Sequence, residues 1–295
     1  MPRPHTLTAE EQRFVTEVAS HAPAILGTPW RVAFAAGRVE VWADGDPRAE
    51  PARLVALACG TATYDACLAL RVIGREAWVH VQPEPATPAL CAVVRVGTRR
   101  AAGVEDLAQY HAIALPRIDD RRHRSGPLPF SLITRLEGEA GVEGALLDVL
   151  STAEADEIGR ILTELRRVQG GEATAGRPRD GEGARTGSWS DGLATSYQVG
   201  RRTLAVLSTP GDSEKDRIRA GMAMERVLLV AAMHGVVASV INAPVEVLSS
   251  GGPLRFAASP DCPQVVVELG YARASGAETA RVPVQVTGTT GRSSA

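Results

Sequence analysis

Two stretches of this chain are too apolar to sit at a surface, and each is cut off by a glycine. The first runs from Arg53 to Ile73 and stops at Gly74. The second begins polar at Glu214, Lys215, Asp216 and Arg217, turns apolar from Met222 to Met233, and stops at His234-Gly235. A helix that is apolar nearly all round must be wrapped by other elements on most sides. Glycine ends such a helix because it takes the left-handed conformation at no steric cost. Each glycine leads into an apolar or β-branched run, Ala77 to Val81 and Val236 to Ile241, which reads as a strand. The repetition predicts two related halves whose central helices pack on each other.

The rest of the chain fills in around these two helices. Thr8 and Glu11 have capping-box spacing and start a helix to His21, with Phe14, Val15, Val18 and Ala19 on one face. Trp30 to Ala35 and Val39 to Ala43 read as a hairpin around Gly37. Leu90 to Val96 reads as a strand, Val104 to Leu115 and Leu128 to Ala140 as helices, and Gly144 to Leu150 as a strand. Ser151 and Glu154 repeat the capping-box pair and open a helix to about Val168. Gln169 to Ser188 is rich in Gly, Arg, Thr and Ala without an apolar period, as in a flexible loop. Thr203 to Ser208 and Gln264 to Leu269 read as strands, and Pro244 to Leu248 as a short helix.

Charge and motif content exclude several function classes. Net charge is −2, so no global electrostatic case for nucleic acid exists. The longest apolar stretches fall short of about 18 uninterrupted apolar residues, so no membrane span is expected. No N-terminal segment pairs a basic start with an apolar core, and a cytoplasmic protein is expected. Cys59, Cys67, Cys91 and Cys262 form no C-x-x-C pair and read as buried free thiols. No Walker loop, no G-x-G-x-x-G after a strand and no G-x-S-x-G elbow occurs. The six histidines lack H-x-x-x-H or H-E-x-x-H spacing, so no zinc or iron site is expected. His234 is either a site acid or, as we read it, a helix C-terminal residue facing the dipole. Asp119-Asp120 reads as solvated or arginine-paired charge rather than an acid–base pair. Arg117, Arg121, Arg122 and Arg124 just before a helix suit a phosphate, or form a solvated basic loop.

Several segments in order resemble the nitroreductase family, in its Acg-type branch. Cys59-Gly60-Thr61-Ala62 through Gly74 resembles that branch's C-G-A-x-L helix. Pro83-Glu84-Pro85, then Pro88 through Ala92, resembles its P-x-P and P-x-x-L-A strand entry. Arg117-Ile118-Asp119-Asp120-Arg121 with Pro127 and Pro129 resembles R-R-T-D-R and its trailing prolines. Leu204 to Thr209, then Arg219-Ala220-Gly221 through Gly235, resembles the L-V-L-S-T strand and R-x-G helix. Pro263-Gln264 and Arg281-Val282-Pro283 resemble the closing P-Q strand and R-R-P tail.

The resemblance implies an α+β, nitroreductase-like (flavin reductase) fold, with central, mostly antiparallel sheets flanked by helices. Two halves in one chain, residues 1–115 and 116–295 with a lid or loop at 169–197, would mimic the family's homodimer. The implied cofactor is one FMN between the halves. Carried over residue by residue, Arg117, Arg121 and Arg281 would grip its phosphate, and Thr28, Gly235 and Ser239 would line its ring. The implied activity is oxidoreductase: hydride passes between NAD(P)H and a small electron acceptor, with no side-chain acid or base required. A chain that carries both halves need not dimerise, so a monomer or a weak homodimer is expected.

Departures from the family pattern define the alternatives. The N-terminal A-P-S-x-H-N-x-Q-P-W motif is here Ala22 through Trp30, one residue shorter and without its serine, histidine, asparagine and glutamine. Asp119 replaces the threonine of R-R-T-D-R, and Ile118 and Val282 each replace an arginine. One alternative is a non-enzymatic flavin-binding or sequestering protein, which needs the same site; the other, favoured by the lost polar residues from Ala24 to Thr28, is a member that lost FMN and binds another ligand or partner.

Overall fold

A computed structural model describes residues 6–23, 30–44, 52–82, 86–118, 126–160, 203–241 and 262–272 of the chain. The readings at 169–197 and Pro244 to Leu248, and those at Thr28, Asp119, Asp120, Arg121 and Arg281, lie outside these residues.

The local patterns set the elements. In α1 (Ala9–Ala19), Thr8 Oγ1 accepts from Glu11 N–H at 3.2 Å, and the Glu11 carboxylate accepts from Thr8 N–H at 2.7 Å. This reciprocal pair satisfies two helix-end donors that would otherwise lack partners. Strands β1 (Trp30–Ala35) and β2 (Arg38–Ala43) form the hairpin, with Trp30 opposite Ala43 and Gly37 turning at φ 70°. Helix α2 (Ala52–Val72) is buried without a break from residue 56 to 70. By length and composition it could cross a membrane, but 83% of its most apolar window is buried inside the protein. Strands β3 (Arg75–Val81) and β4 (Leu90–Arg99) follow, then α3 (Val104–Ala112).

The second half repeats this order. After α4 (Phe130–Val142) come β5 (Leu146–Val149) and a helical segment at 152–160, whose Ser151–Glu154 capping pair forms as read. Strand β6 (Thr203–Thr209), helix α5 (Glu214–Met233), β7 (Val236–Ile241) and β8 (Cys262–Tyr271) complete the set. Ser213 and Asp216 cap α5 with a third capping box, an S-x-x-D pair that the sequence reading passed over.

Both sheets are four-stranded and antiparallel, and their strand orders match: β1-β2-β4-β3 and β5-β6-β8-β7. In each half an antiparallel strand pair precedes the long helix, a left-handed glycine ends it (Gly74 φ 76°, Gly235 φ 71°), and two strands follow. Helix α2 packs on the first sheet, α5 on the second, and the helices pack on each other. The main core joins Leu54, Leu57 and Ala58 of α2 to Met224, Val227 and Leu228 of α5, and to Leu207, Val265 and Val267 of the second sheet. The 152–160 segment covers the far face of the second sheet through Ile158, against Leu204, Val206 and Val266.

Candidate functional site

The arginine segment and the glycine turn meet at one edge of the second sheet. Strand β7 is an edge strand, and Ile118 pairs with it in a parallel bridge at Ala238. The Arg117 carbonyl accepts from Ala238 N–H at 2.8 Å. Three residues expected at the site, Arg117, Gly235 and Ser239, are thereby gathered along one strand. Gly235 is exposed, and a Cβ placed on it would meet nothing within 4 Å. Its carbonyl accepts from Ala272 N–H at 3.0 Å, which ties the turn to the end of β8. Ser239 is half-buried opposite Glu268 in the β7–β8 register.

The side chain of Arg117 runs inward. Only 7% of it is exposed, and its Nη1 donates to Glu225 Oε1 of α5 at 2.7 Å. The same nitrogen stands 3.9 Å from Asp65 Oδ2 of α2. Its Nη2 donates to the His21 carbonyl just beyond α1. Asp65 and Glu225 are both fully buried. Burial first, then the nearby Glu225 charge, hold Asp65 well above the usual carboxylate range against the pull of Arg117. Burial pushes Glu225 up to about 7, again against Arg117. Removing water penalises the charged form, and a like charge alongside adds to the penalty.

Two further polar clusters flank the helix pair, and the sequence reading missed both. At the helix N-termini, Arg53 donates to Gln264 Oε1 at 2.5 Å and to Asp212 Oδ2 at 3.0 Å. Gln264 in turn donates to Thr209 Oγ1 at 2.8 Å. Arg217 also reaches Asp212, and together the two arginines outweigh burial and hold its carboxyl down at about 2. The P-Q and S-T motifs are thus joined by buried hydrogen bonds. On the other side, Arg226 donates to Glu139 at 2.6 Å and to the Tyr64 hydroxyl at 3.4 Å, and the Tyr64 O–H donates to Gln109. The sequence signal for these clusters is polar residues inside or at the start of otherwise apolar runs, Arg53 for the first and Arg226 for the second.

For a flavin the described residues divide. The exposed Gly235 turn, with open space at its missing side chain, fits a flat ring approaching the backbone. Arg117 does not fit a phosphate anchor, because its guanidinium already faces two carboxylates in a buried setting. His234 is exposed at the α5 C-terminus, where its N–H bonds back to Ala231. All four cysteines are free, and Cys59, Cys67 and Cys91 are buried while Cys262 is partly exposed. Among the described residues no group of three or more His, Cys, Asp or Glu is placed to hold a metal.

No family model matches the chain. It is similar to two curated proteins from two strains of Mycobacterium tuberculosis, each named "Putative NAD(P)H nitroreductase". Identity to each is 27% over 303 residues, covering 91% of this chain and 87% of the relative. Among solved structures, a nitroreductase with bound FMN from Desulfitobacterium hafniense aligns at 15% identity with a TM-score of 0.38. That alignment covers 63% of this chain and 98% of the other.

Proposed function

From the premise that this chain belongs to the nitroreductase family, we propose that it is an FMN-dependent oxidoreductase. Hydride would pass between NAD(P)H and a small acceptor such as a nitroaromatic or quinone. The observation that carries this reading is likeness, along nearly the whole of both chains, to the two proteins named "Putative NAD(P)H nitroreductase". The matching strand orders of the two sheets support a site shared between two halves of one chain.

Bound FMN would supply the hydride chemistry, leaving the protein to orient and to exclude water. In this reading the exposed Gly235 backbone admits the ring, and Ser239 and Thr28 line it. With Arg117 turned inward, phosphate binding falls to Arg121 and Arg281. No described side chain needs to act as an acid or base, which agrees with the absence of a catalytic motif in the sequence. One site per chain needs no partner copy, so the protein works as a monomer or weak dimer.

The inward turn of Arg117 favours a second reading, in which the fold persists without FMN and the space at Gly235 takes another ligand. One preparation separates the two. Purified protein that is yellow and releases FMN on denaturation, and whose colour NAD(P)H bleaches and a quinone restores, supports the enzyme. Colourless protein that takes up no added FMN rules it out and leaves the second reading.

A further inference from the structure

We propose that Asp65 and Glu225 share a single proton as an O–H···O bond between their carboxyl groups, making with Arg117 a neutral triad that joins the two central helices. Arg117 is then a counter-ion and positioning residue, not a phosphate anchor. The inference does not depend on the flavin reading, because it concerns groups buried in the core.

The geometry leaves one proton to be placed. Asp65 and Glu225 are fully buried, and both approach the same guanidinium nitrogen. Two ionised carboxylates against one guanidinium would leave a net negative charge inside the core, where an unpaired charge is very costly. Three oxygens of the pair, Asp65 Oδ1, Asp65 Oδ2 and Glu225 Oε2, accept no hydrogen bond. Buried polar atoms without partners are rare enough to need a cause. A proton on one carboxyl supplies a donor where all these atoms are acceptors, and the two carboxyls converge on the same Arg117 nitrogen, at 3.9 Å and 2.7 Å. It satisfies an oxygen on each side chain and cancels the surplus charge in one step.

Among the described residues no other cluster disturbs this balance. The charges acting on Asp65 are those of Glu225 and Arg117, and the charge acting on Glu225 is that of Arg117. Just beyond α1 the His21 carbonyl reaches the triad, while the His21 ring bonds to Glu17 O at 2.8 Å. Arg226, adjacent to Glu225, is engaged by Glu139, Glu143 and Tyr64. Tyr64, adjacent to Asp65, donates to Gln109. The triad holds the Arg117 main chain against Ala238 and so fixes the arginine segment to β7.

The test is infrared spectroscopy of the full chain at neutral pH with ¹³C-labelled aspartate and glutamate carboxyls. The expected result is a protonated-acid C=O band that disappears in Asp65→Asn and shifts in Glu225→Gln. Asp65→Asn places an amide N–H where the shared proton sits, so its stability should lose the pair's pH dependence. The ratio of wild-type to variant folding constants should fall by up to about tenfold per pH unit between about pH 4 and the titration of the pair. A wild-type spectrum without the band overturns the proposal, as do parallel pH curves for the two proteins. If neither variant folds, the band in the labelled wild type decides alone.

Discussion

Gly60 of α2 and Gly221 of α5 meet backbone to backbone. A Cβ on Gly60 would stand 2.2 Å from the Ile218 carbonyl oxygen and 2.7 Å from the Gly221 Cα. A Cβ on Gly221 would stand 2.1 Å from the Leu57 carbonyl oxygen and 2.9 Å from the Gly60 Cα. The contact is reciprocal, and each glycine holds the same place relative to the glycine that ends its helix, Gly74 or Gly235. The two halves therefore touch at equivalent points of their central helices, and neither backbone leaves room for a methyl group.

Gly60→Ala and Gly221→Ala should both destabilise the fold. Alanine gains about 1 kcal/mol of helix propensity over glycine, while overpacking a core costs about 1–3 kcal/mol and more when backbone must move. A net loss of several kcal/mol is expected, read as a lower urea midpoint. Gly138→Ala in α4 is the control: its Cβ meets nothing within 4 Å, so it should gain about 0.5–1 kcal/mol. Equal midpoints for all three variants would contradict the close approach.

The buried pair and Asp212 pull stability in opposite directions with pH. Glu225, raised to about 7 in the folded state, binds a proton that the unfolded chain has released above about pH 4. Its contribution is complete below the unfolded pKa and falls as pH rises towards 7, by up to about 1.4 kcal/mol per pH unit. Asp212, lowered to about 2, contributes above the unfolded pKa and is lost as pH falls towards 2. Unfolding midpoints measured from pH 2 to 9 should therefore peak near pH 4–5 for these groups, and Asp212→Asn should flatten the acid limb alone.

Arg117→Gln should cost about 3–5 kcal/mol, because it leaves the Asp65–Glu225 pair without its cation. Combining it with Glu225→Gln should recover part of that loss, since the charge needing compensation is gone. A double-mutant cycle in denaturant measures the coupling. Additive losses would mean that the guanidinium stabilises the fold through groups other than Glu225.

Ser213→Ala should lower stability by about 1 kcal/mol through loss of the α5 N-cap. Asp216→Asn should cost less, because an amide oxygen can still accept from the Ser213 N–H. Thermal melts of the two variants rank the halves of the capping box.

The elements were legible because their signals are local. Thr8 and Glu11, Ser151 and Glu154, Gly37, Gly74 and Gly235 act on chain neighbours, and each performs in the fold what its spacing predicts. The helix apolar on all sides was legible too, since only burial explains residues 56–70. Boundaries moved where tertiary pairing extended an element: β4 continues to Arg99 because β3 begins at Arg75, opposite it.

The site was only half legible. Order along the chain pointed to the arginine segment and the Gly235 turn, and they do meet at Ala238. It could not show where the Arg117 side chain goes. Counted back from the closing glycines, Tyr64 corresponds to Glu225 and Asp65 to Arg226. The two helices thus carry different polar residues at equivalent positions, and each side chain finds its partner on another element. Arg117 meets Glu225 across 108 residues, and Arg53 meets Gln264 across 211. Sequence alone determined which segments are helix, strand and turn, and that two long helices must be enclosed, because propensity, capping and apolar period act over a few residues. Only the tertiary structure decided that Gly60 and Gly221 touch and that Arg117 faces two acids, because close packing and the cost of burying charge depend on what lies across a contact, not on what lies beside it in the chain.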